Sequence, residues 1–202
     1  MKKSLFTFFG IQCDALGVSL LISIGLGASP FGLLISSIAL LIPIYVGLLS
    51  FGYDTLTLGM VSLLEKKRYN FLSLLYGFIF AVFFQLYIYV FSFVGDLSIY
   101  ILIPLIIVAI GLLDLAKLLL YYGNGPKLST ALLIYAIHSR FNISLNRASK
   151  LIIVTIIGVA LLISWIAGDP FYQFGFVTIL YLIVSGFLLK FLDHKYRESI
   201  DS

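Results

Sequence analysis

The chain reads as long apolar runs separated by short clusters of charge, and the length of each run decides what it can build. Six runs, at about 6–27, 44–64, 71–93, 98–122, 148–167 and 171–192, are long enough to cross a bilayer as helices. Roughly 20 residues rising 1.5 Å each match a hydrocarbon core of about 30 Å. Two further stretches, about 30–42 and 126–141, fall short. The first is closed by Pro43, which cannot continue the ladder of the preceding turn. Its twelve or so residues rise only about 18 Å. The second carries Lys127, His138 and Arg140, charges that argue against a lipid-exposed crossing. Both stretches predict short helices that enter and leave on one side, or lie along the interface. The expected fold is all-α, a polytopic membrane bundle of six transmembrane helices and two short half-helices.

Charge tests this count. With the N-terminus inside, six crossings place Lys66, Lys67, Arg68, Lys127, Arg140, Arg147, Lys150, Lys195 and Arg197 all on the cytoplasmic side. The outer connections then hold only Asp96 and Asp169. Counting the short helices as crossings would turn Lys66-Lys67-Arg68 outward, against the inward bias of basic residues. Lys66, Lys67, Arg68, Arg140, Arg147 and Lys150 are therefore read as topology anchors, the last three with a lesser option of holding anionic lipid headgroups. Trp165, Tyr172, Tyr69, Tyr121 and Tyr122 fall near predicted helix ends, where amphipathic rings sit at headgroup level.

Composition agrees: 61% of the 202 residues are hydrophobic and 11% charged, with a mean hydropathy of +1.13. The net charge of +4 follows from the anchoring clusters and calls for no nucleic-acid partner. The single cysteine, Cys13, rules out an internal disulfide and reads as a small apolar filler. Met1-Lys2-Lys3 followed by apolar residues imitates a secretory signal, but everything downstream is as apolar, so a spanning helix is the better reading.

Two halves follow one plan. Residues 1–97 and 98–202 each hold a full helix, a Gly-rich break with proline, a short helix, then two full helices. The first break is Gly25-Leu26-Gly27-Ala28-Ser29-Pro30, the second Gly123-Asn124-Gly125-Pro126. Each proline suits the first position of a helix, with Ser29 as cap in the first and Gly125 in that place in the second. Three crossings per half would give the halves opposite orientations, the inverted-repeat plan of many secondary transporters. The run Gly25–Phe31, the run Gly125-Pro126-Lys127 with Arg147 beyond it, and Gly52, Gly59, Gly175 and Gly186 resemble the YczE/YyaS/YitT-type bacterial membrane proteins, from about residue 10 to 192. Where those members carry an acidic residue just after each proline break, this chain has Gly32 and Leu128. The resemblance implies a multi-pass protein of the bacterial cytoplasmic membrane and supplies no substrate, while the charge pattern predicts both termini inside.

Polar groups inside apolar spans are costly, about 2.5–3.5 kcal/mol for a charge at the bilayer centre, and so mark pathways or structural ties. Asp54 lies near the middle of its span with no basic residue nearby in sequence, and is the first candidate for a polar cavity or for binding a cation or proton. A tie to Lys117 is its competing role. Asp114 and Lys117, three apart, are expected to pair on one face. Asp14 either lines the pathway or reaches headgroups or an N-terminal lysine. Gln85 is expected to bond a neighbouring helix. Thr55, Thr57 and Ser62 line the same cavity or, more commonly, satisfy backbone carbonyls. The breaks are either tight turns between packed helices or exposed half-helix ends that could hold an anion. His138 and His194 read as solvated.

No metal, cofactor or nucleotide motif and no catalytic spacing occurs, so an enzyme is not expected. The leading function is a small secondary transporter or permease for a small molecule. The alternatives are the substrate-capture subunit of a multi-component vitamin importer and a non-transporting membrane scaffold or accessory protein. Beyond the lipid bilayer and an unidentified ligand, Gly77, Ala81 and Gly158 allow close helix contact within the chain or in a homo-oligomer.

Overall fold

The apolar runs become helices in the computed structural model, which describes residues 2–66, 71–123 and 128–184. In order these are α1 (Lys2–Ile24), α2 (Pro30–Leu41), α3 (Val46–Glu65), α4 (Phe71–Val90), α5 (Ile99–Gly123), α6 (Ser129–Phe141) and α7 (Leu145–Ile166). A short 3-10 turn covers Val94–Asp96, and residues 176–184 are helical. Five of these elements are long and apolar enough to cross a membrane: Ser4–Ile24, Val46–Glu65, Phe71–Asp96, Ile99–Tyr121 and Arg147–Ile166. The sixth predicted span, 171–192, lies partly outside the described residues, as do Lys67, Arg68, Tyr69, Asn124, Gly125, Pro126, Lys195 and Arg197.

Side-chain register fixes the helix directions. α1 and α5 run antiparallel as the central pair, because glycines on α1 let the backbones close up. A Cβ on Gly10 would meet Leu120 at 2.9 Å, and one on Gly17 would meet Leu113 at 2.8 Å and the Ala109 carbonyl at 2.9 Å. α3 and α4 are antiparallel too, with Gly47 against Ala81 and Asp54 against Gly77. α4 runs alongside α1 in the same direction: Ser19 donates to the Phe84 carbonyl at 3.2 Å, and Gly95 abuts the Ser23 carbonyl. α2 runs parallel to α7, with Ala28, Leu33 and Leu34 among Ile152, Ile156 and Ala160, and Ser37 hydrogen-bonded to Ser164 at 2.8 Å. These directions gather Lys66, Arg140, Arg147 and Lys150 at one end of the bundle, with Asp96 and Asp169 at the other.

The short helices exchange partners: α2 packs on α7, and α6 packs on α3. α2 is buried through Gly32–Ser37, which a helix lying on the bundle surface would not be. Its start matches expectation, since Ser29 caps it by accepting the Gly32 N–H at 3.2 Å and Pro30 takes the first turn. The second half departs from its expected start. α6 begins at Ser129 rather than at Pro126, with extended Leu128 at the cap position and no side-chain cap. The Ser129 hydroxyl donates to Asp54 of α3 instead. Gly158 meets nothing within 4 Å of a built Cβ among the described residues, so it makes no close helix contact within the chain there.

Candidate functional site

The first break takes its shape from two glycines. Gly25 (φ 74°) and Gly27 (φ 129°) adopt left-handed backbone that side chains resist. A Cβ on Gly27 would also sit 2.9 Å from the Thr178 nitrogen. This lets residues 26–28 lie against 173–178 in a polar clasp. Ala28 N–H donates to the Gln173 carbonyl at 3.0 Å and to Thr178 Oγ1 at 3.1 Å, and Val177 N–H donates to the Leu26 carbonyl at 3.2 Å. The Thr178 hydroxyl donates back to the Ala28 carbonyl at 2.9 Å. The chain thus leaves α1, folds back, and starts α2 inside the bundle.

The starts of both short helices open onto one cavity of about 910 Å³. Ser29, Pro30 and Phe31 reach it from α2, and Leu128, Thr130 and Ala131 from the beginning of α6. α1 contributes Asp14 and Val18, α3 contributes Asp54, and α5 contributes Leu113 and Lys117. Ile152 and Ile156 of α7, Phe80 of α4 and Tyr181 complete much of the apolar wall. Three of the five predicted pathway residues, Asp14, Asp54 and Lys117, therefore meet in one space.

Each charged group has a different environment. Asp54 is only 6% exposed; its Oδ1 accepts the Ser129 hydroxyl, and its Oδ2 faces Gly77, where a Cβ would come within 2.9 Å. The carboxylate thus stands at the first turn of α6, where the exposed N–H groups favour negative charge. A tie from Asp54 to Lys117 is not formed. Lys117 pairs with Asp114 at 2.7 Å, as their spacing predicted, and its ammonium lies 5.2 Å from the centre of the Tyr181 ring. Asp114 is fully buried, and its Oδ2 has no hydrogen-bond partner among the described residues. Asp14 feels the charges of Lys117 and Asp54 but makes no hydrogen bond or close ion pair with a described residue. It lines the cavity.

Gln85 lies outside this cavity. Its Oε1 accepts the Gly47 N–H at 2.9 Å and so caps the start of α3, the helix–helix bond expected of it. Thr55 bonds the Phe51 carbonyl at 2.8 Å, the backbone role expected of it. His138 is not freely solvated: it is half-buried, and its Nδ1 bonds the Ile143 carbonyl beyond the end of α6. Sequence reasoning missed Ser129, Thr130, Tyr181 and Thr178. The first two carry a faint signal, adjacent hydroxyls just after a Gly-Pro break. Tyr181 and Thr178 sit in an unbroken apolar run and carry none.

Among the described residues no group of three or more His, Cys, Asp or Glu is placed to hold a metal ion. The site's resources are two cavity carboxylates, one internally paired ammonium, hydroxyls and aromatic faces. No curated protein and no solved structure matches the chain. Residues 1–194 do match one family over nearly the whole length, and the chain belongs to it: the Family of unknown function (DUF6198).

Proposed function

We propose that the chain is a small secondary carrier of the bacterial cytoplasmic membrane, with both termini inside and access alternating around the 910 Å³ cavity. One observation carries this reading. The beginnings of two separate short helices, one from each half of the sequence, open onto the same carboxylate-bearing space. The exchange of α2 onto α7 and α6 onto α3 supports two inverted repeats of three crossings. Two copies of one unit related by a two-fold axis in the membrane plane would trade their short helices in this way. The burial of α2 and the segregation of Lys66, Arg140, Arg147 and Lys150 to one end favour re-entrant short helices and six crossings. The YczE/YyaS/YitT resemblance belongs to the same reading. Its work is movement of a solute rather than bond chemistry.

The size of the cavity suits a small organic molecule rather than a bare ion. Asp54, tied to the first turn of α6, is placed to couple its own charge state to the position of that helix. The test is counterflow in proteoliposomes against a panel of amines, carboxylates, sugars and nucleosides. Ala131→Trp, which fills the space at the start of α6, serves as the blocked control. Flux of at least one solute, lost in Ala131→Trp while the protein stays folded, is the expected result. No flux of any solute, or equal flux through the blocked variant, would overturn the reading.

A further inference from the structure

Resting on the carrier reading, we infer that the cavity takes an organic cation, a protonated amine or a quaternary ammonium, with its charge at Asp14 and its body against the aromatic wall. Among the described residues, the ammonium that lines the cavity is already paired within the protein. Lys117 holds Asp114 at 2.7 Å. The first turn of α6 has Asp54 against it through Ser129. At α2, the Gly32 N–H is taken by Ser29 and Pro30 has none to offer. An anion entering here would meet an ammonium already paired and two cavity carboxylates opposing it.

The negative side is not balanced. Two carboxylates, Asp14 and Asp54, line the space, and Asp14 has no hydrogen-bonding or ion-pair partner among the described residues. An unmatched carboxylate in a largely apolar cavity calls for a cation or a proton. A transition-metal ion is a poor match, because no three His, Cys, Asp or Glu side chains converge among the described residues. An organic cation asks less of ligand geometry and more of surface. Phe31, Phe80 and Tyr181 line it, and an aromatic ring attracts an ammonium. Lys117 over Tyr181 shows this chemistry already in use in the same wall. The volume exceeds what a single ammonium fills, which leaves room for an apolar body.

The experiment is thermal stabilisation of the purified full chain by four probes of one shape: benzylamine, benzyltrimethylammonium, benzyl alcohol and benzoate. One or both cations should raise the melting temperature, and the alcohol and benzoate should not. Asp14→Asn should weaken the cation effect at least about tenfold, the loss of one charge–charge contact in a partly desolvated site. Asp14→Glu should retain it, which separates a lost charge from a damaged fold. Stabilisation by benzoate, no stabilisation by either cation, or undiminished binding to Asp14→Asn would overturn the inference. Counterflow tells its failure from that of the carrier reading. Cation binding without counterflow of the bound cation keeps the site and removes the carrier. Benzoate counterflow keeps the carrier and removes the cation site.

Discussion

Replacing Asp54 with Asn removes one charge and almost no volume, so its effect on folding can be worked from the contacts. The Ser129 hydroxyl can still donate to the Asn carbonyl oxygen, but a bond to a charged group weakens to a neutral one. That costs about 1–1.5 kcal/mol, the gap between roughly 1.5–3 and 0.5–1.5. Losing the negative charge at the first turn of α6 costs about 0.3–1 kcal/mol more. Against these stands relief from holding a charge at 6% exposure in an apolar span, about 2.5–3.5 kcal/mol on insertion scales. The opposing effects leave Asp54→Asn within about 2 kcal/mol of the parent, on the stable side. Asp54→Ala keeps the charge relief but also deletes the acceptor and leaves a void beside Gly77, so it should melt below Asn. The assay pairs thermal melting with flux in proteoliposomes. Asp54→Asn should melt at or slightly above the parent temperature and lose coupled flux. If it melts as low as Asp54→Ala, the charge is a structural tie. If it transports as the parent does, Asp54 is not a coupling group.

Two further outcomes follow from the packing. Lys117→Met leaves Asp114 fully buried without its cation and should cost about 3–5 kcal/mol, with Asp114→Asn added on top restoring most of it. A double-mutant melting series measures this, and equal melting of the single and double variants would refute it. Gly17→Ala pushes a Cβ to 2.8 Å from Leu113 and 2.9 Å from the Ala109 carbonyl, forcing α1 and α5 apart at about 1–3 kcal/mol, whereas Gly158→Ala meets open space and should be neutral or stabilising by up to about 1 kcal/mol. Equal melting of these two variants would show that the α1–α5 seam is not tightly set.

Much of the architecture is legible because bilayer thickness converts run length directly into element type. The five long helices fall within a few residues of the runs that predict them, and Pro30 with Ser29 opens α2 where the chemistry of caps requires it. The Asp114–Lys117 pair is equally local, since spacing of three on a helix leaves little choice. What escapes is whatever depends on which helices become neighbours. Asp54 finds Ser129, 75 positions away, and no periodicity in either segment announces it. Thr178 reaches back 150 positions to Ala28 from an apolar run in which a lone threonine carries no signal. Asp14 meets Asp54 and Lys117 in one cavity, and nothing in its own helix announces that meeting. His138 misled for a local reason: charged neighbours suggest solvent, while a turn after Phe141 brings the Ile143 carbonyl onto its ring.

The exchange of short helices limits how the cavity can open. Residues 26–28 are bonded to 173–178, and α2 continues along α7 to the Ser37–Ser164 pair, so these segments are joined along their length. α6 is joined to α3 through Ser129–Asp54 and Thr130–Tyr53, and α3 is set against α4 by the close approaches at Gly47 and Gly77. Any change of access that preserved these bonds would move α2, α7 and 173–184 against α3, α4 and α6. The units in relative motion would then not be the two sequence halves. The cavity lies along the boundary between these groups, with α1 packed on both α2 and α4. Phe31 crosses that boundary from α2 to Tyr53 of α3 and Phe80 of α4, with ring centres 5.4 and 5.8 Å apart. Asp14 sits on α1 itself, so a cation bound there would touch both groups at once. A solute that bridges two bodies can bias their relative position, and a solute held by one body alone cannot.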